Sequence, residues 1–172
     1  MMNEIQNFLE QYRQSQPKRQ RKEPYRKPES VKELERLHFE RKKAKRPDLP
    51  CHVKTLFMDN SATGLTKCIV AWLELHGYFA GRVNTTGTYS RKLGKYIHSG
   101  SRKGMADITA VINGRHVSIE VKFGRDRMRP EQLRVKREIE QAGGYYIVAS
   151  TFDDFIEQIK NISENNRDLQ IN

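Results

Sequence analysis

The sequence predicts an α/β fold: a mixed β-sheet with helices packed on its faces, in the order α-β-β-β-α-β-α, behind a basic N-terminal extension. Three observations predict it. Apolar residues recur at helical spacing from Leu65 to His76, two apolar runs flank the dipeptide Asn113-Gly114, and a helical stretch opened by Pro130 leads into the apolar run from Tyr145 to Ala149.

The first helix presents Leu65, Ile69, Trp72, Leu73 and His76 on one face and ends at Gly77; residues 78–84 then read as a strand. Residues 85–105 form a long glycine-punctuated loop that carries Arg91, Lys92, Lys95, Arg102 and Lys103 and no acidic residue. A loop of that length inside a domain is usually functional or disordered. Strands over 106–112 and 116–122 follow, and Asn-Gly between them is a strong hairpin signal, because both turn residues must take positive φ. Pro130 opens a helix that runs to Ala142 and stops at Gly143. The strand over 145–149 must return parallel to its predecessor, since a helix separates the two. A last helix presents Phe152, Phe155, Ile156 and Ile159, with Ser150 or Thr151 as its cap.

The 172 residues suffice for one ordinary domain. Lys and Arg number 32 against 21 Asp and Glu, a net charge of +11 that attracts polyanions, so nucleic acid is the expected partner. No stretch approaches the ~18 apolar residues of a membrane span and the N-terminus lacks an apolar signal core, which predicts a soluble, intracellular protein with no membrane partner. Cys51 and Cys68 have neither the spacing nor the companions of a disulfide framework or a zinc site and are expected to be free thiols.

Residues 1–55 hold 15 basic and 8 acidic side chains broken up by five prolines, and are expected to be an arm outside the core. Ile5, Phe8, Leu9 and Tyr12 would suit a small docked helix, and a second helix could run from a Ser30 cap through Val31, Leu34 and Leu37 to the basic run at 41–46. A solvated, partly disordered basic tail is the competing reading.

The chemistry concentrates on the hairpin. A two-residue turn fixes the register so that paired residue numbers sum to 227, which sets Ile108 against Ile119 and Ala110 against Val117 on a face suited to burial. The opposite face would then hold Asp107 across from Glu120, at a Cβ separation of roughly 4.5–5.5 Å if the ladder reaches that end. Lys122 shares that face, roughly 7 Å further along. Two hard oxygen donors so close repel one another and suit a divalent cation, Mg²⁺ in particular, while Lys122 can orient water or stabilise charge growing on a phosphate. The competing reading is a solvated hairpin end with the carboxylates splayed apart. Gln132 lies on the sheet-facing stripe that continues through Val135, Ile139 and Ala142, so its amide needs a partner: a phosphate, a metal-bound water or a backbone group to cap. Arg125, Arg127 and Arg129, between Lys122 and that helix, are placed for phosphate contacts, as are the cations of the 85–105 loop.

The run G-M-A-D-I-T-A-V-I-N-G-R-H-V-S-I-E-V-K, then R-P-E-Q and A-G-G-Y-Y-I-V-A, resembles the VRR-NUC branch of the PD-(D/E)XK nuclease superfamily. The resemblance covers roughly residues 65–159. It implies Asp107 and Glu120 as ligands of Mg²⁺, with Mn²⁺ as a substitute, the backbone carbonyl of Val121 as a further ligand, Lys122 as the catalytic lysine and Gln132 as an auxiliary active-site residue. It further implies a restriction-endonuclease-like fold over residues 56–165, with 166–172 as a tail, and hydrolysis of DNA phosphodiester bonds at branches or junctions. The cytoplasm of a bacterial or phage-infected cell is the implied setting. Many relatives place a Glu on the first helix pointing into the site, whereas Thr66 or Lys67 stands nearest that position here, and Asp59 and Glu74 are poorly spaced to replace it. A nucleic-acid-binding protein that keeps the fold without cleaving is the alternative, and the sequence leaves the choice between monomer and homodimer open.

Overall fold

Four strands form one sheet because each carries an apolar stripe that a helix can cover. The structure, a computed structural model, describes residues 6, 24–84, 87–97 and 100–167. Among these the elements are α1 (Glu29–Lys45), α2 (Ala62–Leu75), β1 (Phe79–Arg82), β2 (Thr88–Ser90), β3 (Lys95–Ile97), β4 (Ile108–Ile112), β5 (Arg115–Val121), α3 (Pro130–Gln141), β6 (Tyr145–Ala149) and α4 (Phe152–Arg167). The main sheet has the order β1-β4-β5-β6, antiparallel except for the β5–β6 pair, which is parallel as the intervening helix requires.

The hairpin is built as its sequence dictates. Asn113 and Gly114 have φ of 50° and 77°, the double positive φ of a type I′ turn, and Ile108 pairs with Ile119 and Ala110 with Val117. One sheet face buries Ile108, Ala110, Ile112, Val117, Ile119 and Ile147 against Leu65, Ile69 and Leu73 of α2 and Phe152, Phe155 and Ile159 of α4. The opposite face is covered by α3, where Val135 meets Ala106 and Tyr146. Thr151 caps α4, its hydroxyl accepting from the Asp154 amide at 3.1 Å.

Two expectations are corrected. The 85–105 segment is not plain loop: β2 and β3 pair antiparallel as a small ribbon, with Tyr89 opposite Tyr96. Its strands of three residues are too short to leave a periodic signal in the sequence. The second correction concerns α1, which belongs to the core and not to an arm: Val31 is 0% exposed and Leu34 1%. Ser30 is not its cap, since the helix begins at Glu29 behind Pro28, whose φ of −61° presets the entry, and the Ser30 hydroxyl lies buried without a hydrogen-bond partner among the described residues. Buried Glu35 accepts from Lys27 at 2.5 Å and from the Phe57 amide at 2.8 Å, while Tyr25 donates to Asp59 at 2.6 Å. These bonds tie the segments before and after α1 to the helix and to each other. The expected helix at Ile5, Phe8, Leu9 and Tyr12 lies outside the described residues.

The core role of α1 has a measurable consequence. Leu34→Ala should lower the free energy of unfolding by about 2–5 kcal/mol in a denaturant titration. A loss within about 0.5 kcal/mol, the range of ordinary surface changes, would return residues 29–45 to an arm.

Among the described residues no helix is long and apolar enough to cross a membrane. Cys51 is exposed and Cys68 buried, both unpaired, and burial pushes the Cys68 thiol up to about 12, which keeps it protonated and inert.

Candidate active site

Strand alternation sends Val117, Ile119 and Val121 to one face of β5 and Ser118 and Glu120 to the other, beneath α3. Glu120 is therefore buried, at 2% exposure, and Lys122, just past the strand end on the same side, is 8% exposed. A buried carboxylate and a buried ammonium require one another. The Lys122 Nζ lies 2.9 Å from Glu120 Oε1, and the Gln132 amide nitrogen donates to that same oxygen at 2.5 Å. Gln132 Oε1 in turn accepts from Lys122 at 3.0 Å and from the Arg129 amide at 3.0 Å.

Gln132 thus caps the start of α3 and clamps the pair below it. Its backbone partner is the Arg129 amide, and its remaining bonds go to Lys122 and Glu120. Its side chain couples helix entry to the position of both charged groups, so the Pro130 start of α3 sets where the site sits.

The carboxylate pair departs from the expected register. Regular pairing ends at Ile108 and Ile119, one step short of Asp107. The Asp107 carbonyl instead accepts from the Val83 amide at 2.8 Å, and its Oδ2 accepts from the Val121 amide at 2.9 Å. Asp107 is half-buried and stays beside the Glu120–Val121 segment, held by β1 on one side and β5 on the other. Its charge is felt by Glu120. The Glu120 carboxyl is raised above the ordinary carboxylate range, first by burial and next by Asp107, against the opposing pull of Lys122 and Gln132.

Two oxygens on this side of the sheet have no hydrogen-bond partner among the described residues. Glu120 Oε2 is buried and unbonded, and so is the Tyr146 hydroxyl. Both belong to the α3-covered side of the sheet, where Ser118 pairs with Tyr146 and Glu120 with Val148. Burial, then the charges of Glu120 and Asp107, and last the closeness of the Glu120 carboxylate to the hydroxyl, short of regular hydrogen-bond geometry, raise the Tyr146 phenol, so it stays protonated at neutral pH. Tyr146 was not legible as a site residue, because its place beside Glu120 depends on the parallel β5–β6 register.

Neither a scan against protein-family models nor a search of the curated proteins finds a match for this chain.

Two carboxylates, one of them with a buried oxygen that has no hydrogen-bond partner among the described residues, form a donor set that fits a hard divalent cation. Among the described residues no group of three His, Cys, Asp or Glu side chains gathers for a metal, so any further ligands would have to be backbone carbonyls, water or a phosphate. The residues nearest a missing first-helix Glu do not replace it: Thr66 is turned back onto the Ala62 carbonyl at 2.8 Å, Lys67 is exposed, and Asp59 is bound by Tyr25.

The basic residues divide into three groups. Arg91, Lys92 and Lys95 stand exposed on the β2–β3 ribbon. Arg102 is paired with Glu138 of α3 at 2.6 Å, and Lys103 is exposed. Gly104, at φ of +87°, is where this segment meets α3: a Cβ there would stand 2.5 Å from the Glu131 carbonyl oxygen, so the approach requires glycine. Arg125, Arg127 and Arg129 are exposed on the loop between Lys122 and α3, and Asp126 within it lies 3.6 Å from Lys122.

Proposed function

We propose that this chain is a metal-dependent endonuclease of restriction-endonuclease-like fold, akin to the VRR-NUC nucleases, that hydrolyses DNA phosphodiester bonds at branched or junction structures. The observation that carries the reading is the buried Glu120–Lys122 pair beside Asp107, with one Glu120 oxygen left unbonded. A buried charged cluster costs stability, and its concentration under the start of a helix is more readily explained by chemistry than by packing.

Asp107 and Glu120 would hold Mg²⁺ or Mn²⁺, with the Val121 carbonyl as a further ligand. When bound, such a cation activates water and offsets charge on the phosphate. Lys122 brings a fixed positive charge to the oxygen on which negative charge grows, and Gln132 keeps its ammonium aimed. The exposed cations of the ribbon and of the 125–129 loop give the site a surface for the backbone, contributing affinity without sequence readout. The second reading, a nucleic-acid-binding protein without cleavage, is favoured by one observation: Lys122 already neutralises Glu120 within the described residues.

Purified protein incubated with branched, single-stranded and duplex DNA should cleave only when Mg²⁺ or Mn²⁺ is present and stop with EDTA. The cation should also raise the melting temperature by linkage, an effect worth about 2.7 kcal/mol at a hundredfold excess over its dissociation constant. Binding without cleavage on every substrate, together with no metal-induced shift, would select the second reading.

A further inference from the structure

Across the sheet from α3, a cleft of about 540 Å³ opens between the last turns of α1 and α2. Its α1 wall is His38, Arg41, Lys42 and Lys45, the i, i+3, i+4, i+7 positions of one helix face. Its other wall holds Leu75 and Tyr78 beside Glu74.

Cations on α1 are treated differently along its length. In the first half Lys32 pairs with Glu29, and Arg36 with Glu33 and Glu40. In the second half Arg41, Lys42 and Lys45 have no carboxylate within 4.0 Å among the described residues. Arg41 donates to the Glu74 carbonyl and Lys42 to the Val53 carbonyl at 3.0 Å, contacts that orient the cations without neutralising them. Lys43, which lies over the Phe39 ring, is not part of the lining. Glu74 is the one carboxylate among the lining residues, so the balance there is positive. The His38 Nδ1 atom is buried without a hydrogen-bond partner among the described residues.

Three cations, none ion-paired among the described residues, against a wall that offers Leu75 and the Tyr78 ring match an anion joined to a flat or apolar group. We propose that this cleft binds a nucleotide unit: Arg41, Lys42 and Lys45 take its phosphate, and the Leu75–Tyr78 wall takes its base or sugar. The volume lies within the ~300–1,000 Å³ of small-ligand sites. Tyr78 precedes β1 and Asp107 bonds Val83 just past that strand, so the cleft stands about 16 Å from the carboxylates along the strand, at ~3.3 Å per residue. It is a separate site, and its test does not depend on cleavage.

The isotope-labelled full chain is titrated with adenosine monophosphate, with inorganic phosphate and with a short 5′-phosphorylated thymidine oligonucleotide, following backbone amides by NMR. Saturable shifts of the Leu75, Tyr78 and Lys42 amides are expected with adenosine monophosphate, with an affinity about tenfold or more above that for inorganic phosphate. The exposed double variant Lys42→Gln/Lys45→Gln should weaken that binding about tenfold or more, while the charge-matched Lys32→Gln/Lys160→Gln should leave it unchanged. If the oligonucleotide moves the same amides more tightly than the mononucleotide, the ligand is a unit of a strand; if only the mononucleotide does so, it is a free nucleotide. No saturable shift at these amides, equal affinity for inorganic phosphate, or wild-type binding by Lys42→Gln/Lys45→Gln overturns the proposal.

Discussion

Lys122→Ala is expected to reduce cleavage by about 10²- to 10³-fold, the effect of losing one preorganised charge at a reacting phosphate, while DNA binding stays near wild type. Many exposed cations contribute to the affinity, and Lys122 is buried among its partners. The same substitution leaves the Glu120 carboxylate without its cation, a loss of about 3–5 kcal/mol of stability for a broken buried pair. Cleavage should therefore be assayed well below the lowered melting temperature, with anisotropy of a labelled branched DNA as the binding measure. Adding Glu120→Gln to Lys122→Ala should recover much of the stability and none of the activity. A single variant that cuts at wild-type rate would move the chemistry elsewhere in the molecule.

Glu120→Gln alone should abolish cleavage and, without metal, raise stability at neutral pH. The Glu120 carboxyl is held above the ordinary carboxylate range, so the folded protein keeps this proton more tightly than the unfolded chain does. The stability that follows is complete below the unfolded value and is lost as pH rises through the folded one. Above that window the ionised carboxylate is a net burden, set by burial and by Asp107 and only partly relieved by Lys122. Glutamine removes the charge while its carbonyl still accepts from Lys122 and Gln132, and Lys122 keeps the Asp126 carboxylate at 3.6 Å, so this change, unlike Lys122→Ala, leaves no buried charge without a counter-charge. Its amide would occupy the place of the unbonded Oε2, a donor where the oxygen had no partner. Metal-free melting curves from acid to neutral pH should show the two proteins converging in acid and the variant ahead at neutral pH. A variant that is less stable throughout would make the Glu120–Lys122 pair a structural ion pair.

The hairpin was legible because one dipeptide fixes its register, and the register fixes the face of Glu120 and Lys122. Gln132 was legible as a sheet-facing polar residue on α3, since helical spacing places it with Val135. Its partners were not, because they depend on how far α3 stands above β5. Asp107 was placed in the right neighbourhood with the wrong geometry: pairing frays before reaching it, and backbone amides of Val83 and Val121 hold it instead. The role of α1 was hidden by composition. A helix with many charged residues and only Val31 and Leu34 fully buried resembles a solvated tail until α2 and α4 are present to receive those two side chains.

That docking of α1 orders events during synthesis. The helix meets α2 soon after it is made, but it also meets α4, whose residues emerge from the ribosome more than a hundred positions later, so its packing is completed only after the sheet has been made. Contacts of such sequence separation form late, and β6, which completes the sheet beside Glu120, also arrives late and pairs in parallel. A nascent chain would therefore carry Asp107, Glu120 and Lys122 well before α3 and Tyr146 exist to cover them, and the site would assemble only after β6 has been made.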